Sequence, residues 1–292
     1  MSDPRDTLDN NSKGMTEEPA TRQKRLYASI LERIFFTHFD QGETDFVFTR
    51  DEIIETAQRL NLARPKNLGD ALYSSRYRAG LPPAVQATAP TGEQWIVLPA
   101  GIARYRMTTV HQTLATITPH QNLATINIPD STPGLISLYA LTDEQALLAR
   151  LRYNRLIDIF TNLTCYTLQS HLRTTVPAMG QVETDELYVG VDHWGAHYVV
   201  PIQAKGGNDR LSVVQIVQDV ALCKAKFPQL LCRPIAAQFM PNGAIALMMF
   251  VADSSKIGVA LGVEQHYRLV PPQELTVEEL HTYRTMAQQF TR

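Results

Sequence analysis

Three polar side chains whose chemistry complements a phosphate stand close together in the stretch Gly180 to Gly207, which reads GQVETDELYVGVDHWGAHYVVPIQAKGG. They are the carboxylate of Asp185, the amide of Gln203 and the amine of Lys205. Hard oxygen donors suit a small divalent cation, and a cation with a lysine can offset negative charge that builds on phosphorus during displacement. Such chemistry needs the groups brought together. Leu187 to Asp192 reads as a strand, His193-Trp194-Gly195 as a turn, and Tyr198 to Ile202 as the returning strand. A three-residue hairpin loop favours glycine at its last, left-handed position, where Gly195 stands. If Asp192 pairs with Ala196, the register sets Asp185 opposite Gln203, and period-two alternation puts Lys205 on the same face.

An acidic residue opening one strand and a (D/E)-x-K pattern closing the next resembles the PD-(D/E)XK nuclease superfamily, which includes type II restriction endonucleases and junction resolvases. The resemblance implies that Asp185 binds a divalent metal, Mg2+ with Mn2+ as a substitute. It implies that Gln203 and the carbonyl of Ala204 complete the oxygen shell, and that Lys205 positions or activates the attacking water. Position 203 departs from the common pattern, since glutamine offers an oxygen without a charge. Metal affinity then calls for a nearby carboxylate. Strand parity ranks Glu183 above Glu186, and a kink at the strand start would reverse them. In the family an acidic residue on the preceding helix often completes the site, and here Asp158 or Glu144 is available.

The surrounding elements agree with that order. Thr142-Asp-Glu-Gln145 reads as a capping box, followed by an amphipathic helix or helix pair carrying Leu147, Leu148, Leu151, Leu156 and Ile159 to about Leu172. After the hairpin come a helix from Leu211 to about Lys224, bearing Gln215, Gln218 and Asp219, and an apolar strand from Leu230 to Phe239. Gly243 to Ala252 and Ile257 to Val263 read as further strands, and Thr276-Val-Glu-Glu279 caps a last helix.

Towards the N-terminus, Leu26, Ile30, Leu31, Ile34 and Phe35 repeat at helical spacing, and Phe46-Val47-Phe48 reads as a short strand. Thr49 to Glu52 forms a capping box for a second helix, and Pro65 opens a third that runs to about Arg76. Ala84 to Ala87 and Trp95 to Leu98 read as two strands joined by a turn at Pro90-Thr91-Gly92. Helix, strand, helix, helix and hairpin is an order similar to the winged-helix fold. On that resemblance Lys66, Asn67, Tyr73, Arg76 and Arg78 belong to a recognition helix, and Arg104 and Arg106 flank the wing.

The expected organisation is an α/β protein: a polar tail over 1–21, a winged-helix-like DNA-binding domain over 22–108, a linker or packed connecting segment over 109–141, and a restriction-endonuclease-like mixed sheet flanked by helices over 142–292. The formal net charge is -2, yet from Arg59 to Arg106 seven basic residues face two acidic ones, which gives double-stranded DNA a local positive surface. No apolar run is long enough for a membrane span, and Cys165, Cys223 and Cys232 lack zinc-ligand spacing, so a cytoplasmic protein with reduced core thiols is expected. Walker, GxSxG, HExxH and dinucleotide motifs are missing. The composite expectation is a Mg2+-dependent, sequence-specific endodeoxyribonuclease acting as a homodimer. Its rivals are a non-catalytic DNA-binding regulator with a silent site and a repair or junction nuclease.

Overall fold

The computed structural model describes residues 19–62, 72, 80–139, 143–177, 179–206 and 211–290. Helix α1 (Pro19–His38) buries the apolar stripe expected of it, with Ile30, Leu31, Ile34 and Phe35 almost fully enclosed. Strand β1 (Asp45–Thr49) leads into α2 (Arg50–Arg59) through a reciprocal cap: Glu52 N donates to the Thr49 hydroxyl at 3.3 Å, and Thr49 N donates to the Glu52 carboxylate at 2.8 Å. The third helix expected after Pro65 lies outside the described residues apart from Leu72, which is buried in the same core.

Ala84 to Ala87 is not a strand. Pro83 sets the backbone for a first helical turn, giving the short helix α3 (Pro83–Gln86) with Val85 buried. Gln86 then uses its amide as a backbone mimic, accepting from Trp95 N and donating to Trp95 O, both at 2.9 Å. The hairpin therefore forms one step later, between β2 (Glu93–Pro99) and β3 (Arg104–His111), and the sheet order is β1-β3-β2, all antiparallel. Gly101, at φ +114°, turns the chain between them.

The connecting segment is built into the fold. It contains α4 (Gln112–Ala115), β4 (Thr116–Ile117), β5 (Thr125–Pro129) and α5 (Gly134–Tyr139), and β5 becomes an edge strand of the large sheet. Helix α6 (Glu144–Tyr153) is capped by the Asp143 carboxylate, which accepts from Ala146 N at 2.9 Å, one residue beyond the expected cap at Thr142, which lies outside the described residues. Helix α7 (Leu156–Thr161) stops at Asn162, whose left-handed φ of +56° a short amide side chain tolerates. The expected helix to Leu172 is thus cut short. From Thr164 the run rich in threonine, with tyrosine and leucine, forms β6 (Thr164–Val176).

Strands β7 (Gly180–Val191) and β8 (His197–Lys205) follow, then β9 (Leu211–Ser212), α8 (Val213–Lys226), β10 (Leu231–Cys232), β11 (Ile235–Phe239), β12 (Ile245–Ala252), β13 (Val259–Val270) and α9 (Val277–Phe290). The single strand expected from Leu230 to Phe239 is two, interrupted at Pro234, which has no amide proton for a ladder bond. The large sheet runs β5-β13-β12-β11-β8-β7-β6; β11 lies parallel to β8, β5 parallel to β13, and the other pairs along this path are antiparallel.

Helices α6 and α7 cover one face of this sheet, packing Leu147, Leu148, Leu151, Leu156 and Ile157 on Tyr198, Val200 and Ile202. Helix α8 covers the other, with Leu222 and Cys223 against Leu187 and Val199. Ile96, Leu98 and Val110 of the small sheet join Val213, Val214 and Val217 of α8 and Phe250 of β12 in one cluster, so the two sheets share a buried core. Among the described residues, no helix is long and apolar enough to cross a membrane.

Candidate active site at the open end of the central hairpin

The turn that sets the register forms as its residues dictate. Asp192 N donates to Ala196 O at 3.2 Å, Gly195 takes φ +79°, and the Asp192 carboxylate accepts from Trp194 N and Ala196 N at 2.9 Å each. His193 and His197 are exposed beside it, far from the polar cluster. The ladder from Val191↔His197 to Glu186↔Ile202 carries the predicted register.

At Asp185 the ladder opens. Ala204 N donates to Asp185 Oδ2 at 2.8 Å, so a side chain takes the place of a strand carbonyl. On the β6 side, His171 stands between the pairs Ser170↔Glu186 and Leu172↔Thr184 with a left-handed φ of +50°. The strand is kinked here. Thr184 lies beside Asp219 of α8, on one face, whereas Glu186, two residues on, reaches Arg152 of α6 on the other. Side chains two apart in a regular strand share a face, so the alternation slips by one at Asp185.

That slip determines where the neighbouring carboxylates go. Glu183 is exposed and sits 3.8 Å from Arg173 Nε. Glu186 is fully buried, its Oε1 accepting from Arg152 Nε at 3.1 Å and Nη2 at 2.6 Å. Asp158, in the first turn of α7, accepts from Cys165 N at 2.9 Å and pairs with Arg155, which immediately precedes that helix. Glu144, the first residue of α6, is the helix carboxylate that reaches the hairpin end: Lys205 Nζ donates to its Oε1.

Asp185, Lys205 and Glu144 therefore form one electrostatic group drawn from β7, β8 and α6. Burial pushes the Asp185 carboxyl above the ordinary carboxylate range; the bond from Ala204 N and the charges of Lys205 and His171 oppose the rise, and Glu144 adds to it. Gln203 faces α8 instead. Almost fully buried, it donates from Nε2 to both Asp219 oxygens at 3.1 and 3.0 Å and to Glu183 O at 3.1 Å, while its Oε1 accepts from Gln215 Nε2 at 2.9 Å. Asp219 is itself buried, and the loss of solvent holds its carboxyl well above the usual range, against the bonds from Gln203 and Thr184 and with the charge of Asp185.

Sequence patterning left the helix carboxylate open between Asp158 and Glu144. It offered no sign of His171, because the strand that carries it reads as the end of a helix. Gln215 and Asp219, four apart on α8, could be assigned to the sheet side from helical spacing.

Comparisons of the chain with protein-family models, curated proteins and solved structures find no match.

Of the residues expected to contact nucleic acid, Lys66, Asn67, Tyr73, Arg76 and Arg78 lie outside the described residues. Arg104 is exposed at the start of β3. Arg106 is bound to Asp45, with Nε 3.0 and 2.7 Å from the two carboxylate oxygens, and its Nη1 reaches Lys256 O at 3.4 Å. Its charge is largely balanced within the protein.

Among the described residues no group of three or more His, Cys, Asp or Glu side chains converges as a metal cage. The oxygen donors of Asp185 and Glu144 nevertheless suit Mg2+, which keeps several waters and is commonly bound by one or two carboxylates together with substrate phosphate.

Proposed function

We propose that the protein is a metal-dependent endodeoxyribonuclease in which a PD-(D/E)XK-like domain cuts DNA and a winged-helix-like module reads it. The observation that carries this reading is the ion pair between Lys205 and Glu144 beside Asp185, three residues far apart in sequence that meet at the open end of one hairpin. The element order supports it: helices α6 and α7, strands β6, β7 and β8, helix α8, then β11 parallel to β8. The small sheet with its hairpin and exposed Arg104 supports a module that meets the DNA backbone.

In this reading Asp185 and Glu144 hold Mg2+ or Mn2+, with the Ala204 carbonyl as a further oxygen. The bound metal would neutralise phosphate charge and lower the pKa of a coordinated water. Lys205, held by Glu144, presents its ammonium to the phosphate and orients the attacking water. Asp185 must lose its proton before it can bind a cation, so burial of its carboxyl makes the site more competent as pH rises. Cleavage is proposed to be sequence-specific, of the type II restriction kind, by a cytoplasmic homodimer on double-stranded DNA.

A second reading, a DNA-binding regulator with a silent site, draws on Gln203, whose amide is committed to Asp219 and Gln215. Incubating the protein with supercoiled plasmid and linear duplex in Mg2+ or in chelator separates the two. Discrete fragments in Mg2+ alone support the nuclease; salt-dependent binding without cutting in Mg2+ or Mn2+ supports the regulator.

A further inference from the structure

Among the described residues, His171 is the one non-glycine position that takes a left-handed backbone inside a strand. Asn61, Ala103, Arg155 and Asn162, which share that conformation, lie in turns or at helix ends. The conformation is unfavourable for a residue with a Cβ, and such strain persists where the surrounding structure holds it, often at functional sites. Its place in the sheet is against Asp185. Strand β6 pairs Ser170 with Glu186 and Leu172 with Thr184, so His171 and Asp185 are the two residues the ladder skips. From there the imidazole reaches α6, where its Nε2 lies 2.9 Å from Gln145 Nε2, next to the Glu144 that holds Lys205. His171 and Gln145 are both exposed, so the ring is held and still open to a ligand.

The contact with Gln145 occupies one ring nitrogen, and Nδ1 has no hydrogen-bond partner among the described residues. When Nε2 accepts from the amide nitrogen of Gln145, the proton of the neutral ring sits on Nδ1. In the imidazolium Nδ1 carries a proton as well, with the amide oxygen turned to the ring. Either form leaves an N–H donor free beside Asp185 and Lys205. Mg2+ takes oxygen ligands, so a nitrogen donor here suits the substrate rather than the metal.

We infer that His171 is a further catalytic residue of this site, held out of the strand ladder so that its Nδ1–H meets a non-bridging oxygen of the phosphate that Lys205 also contacts. The inference rests on the nuclease reading for the identity of the ligand. The ring donates a hydrogen bond and transfers no proton, so the bonds broken and formed are those of the hydrolysis itself. A donor fixed before the substrate arrives stabilises charge that builds on phosphorus without having to reorganise. Gln145 is then a positioning residue, acting through the ring it orients.

The experiment compares the full-length wild type, His171→Gly, His171→Asn and Gln145→Ala by thermal unfolding, by calorimetric titration with Mn2+ alone, and by cleavage of plasmid and linear duplex in Mg2+ or Mn2+. Glycine and asparagine both tolerate the left-handed backbone, and asparagine keeps an N–H donor. His171→Gly is expected to unfold at or above the wild-type temperature, to bind Mn2+ as the wild type does, and to cut saturating DNA about 100-fold more slowly. Added imidazole should restore part of that loss, and His171→Asn should cut faster than His171→Gly. Gln145→Ala should fall between wild type and His171→Gly. Cleavage by His171→Gly at the wild-type rate would overturn the inference and leave the nuclease reading standing. Slow cleavage with a lowered unfolding temperature, restored by neither imidazole nor asparagine, would make the ring a structural brace and overturn it too. Weakened Mn2+ binding in His171→Gly would make the ring a metal ligand and overturn the phosphate contact. A wild type that cuts no DNA with either metal would remove the nuclease reading, and the inference with it.

Discussion

Asp185 sits in an interior that opposes its charge, and stability and chemistry pull on it in opposite directions. Its folded pKa is raised above the 3.8 of an ordinary aspartate, chiefly by burial. A group raised in this way contributes stability that is fully present below the unfolded value and is lost as pH rises through the folded value. Asp185→Asn, which does not titrate, is therefore expected to unfold at a higher temperature than wild type at neutral pH, with the advantage shrinking as pH falls towards the ordinary carboxylate range. The same change should abolish cleavage. Unfolding temperatures taken across the acid range check the first part; an advantage that is constant with pH would contradict it. Asp185, Gln203 and Lys205 were legible in the sequence as residue types at hairpin spacing. Gln203 faces α8 by the regular alternation of β8, on the side of Val199; what was not legible is the slip of β7 at Asp185, which leaves no mark in residue types.

At the scale of elements, local chemistry decides some outcomes and tertiary packing others. The hairpin turn follows from Asp192 and Gly195 alone: one carboxylate ties two amides, and one glycine takes a left-handed backbone. A Cβ at position 195 would meet open space, so strain in Gly195→Ala comes from φ alone and is expected to cost roughly 1–2 kcal/mol, read as a lower urea midpoint. An unchanged midpoint would show that another turn closes the hairpin equally well. Strand β6 shows the opposite case. Its many exposed positions follow neither a helical nor an alternating pattern, since it lies at the sheet edge, and only pairing with β7 holds it extended. Ala84 to Ala87 failed as a strand for a different reason: apolar residues after two prolines suit a helical turn when Val85 finds a pocket and Gln86 replaces the missing strand bonds.

For the whole molecule, the shared core between the small sheet and α8 makes the parts one folding unit. Ile96 is 8% exposed and packs in the cluster that includes Val213, Val214 and Phe250. Ile96→Ala should cost about 2–5 kcal/mol, as is usual for such truncations, and should split a single calorimetric transition into two; one unchanged transition would deny the coupling. Charge is distributed on the same scale, with a net of -2 overall and a basic run from Arg59 to Arg106. Exposed Arg104 and internally paired Arg106 should then behave differently. Arg104→Ala is expected to weaken duplex binding and reduce the salt slope by about one, and Arg106→Ala to lower stability by leaving Asp45 without its partner. Salt-dependent binding curves and unfolding curves on both variants distinguish the two effects. The central claim, that Asp185 and Lys205 belong to a metal-dependent DNA-cutting site, is tested most directly by digesting a mixed panel of plasmid and phage DNA in Mg2+ or Mn2+ with wild type, Asp185→Ala and Lys205→Ala. Discrete fragments are expected with wild type and a loss of at least about a hundredfold in rate for each variant, all three remaining folded and able to bind DNA. Cleavage that persists in either variant, or its absence in the wild type on every substrate, would contradict that claim.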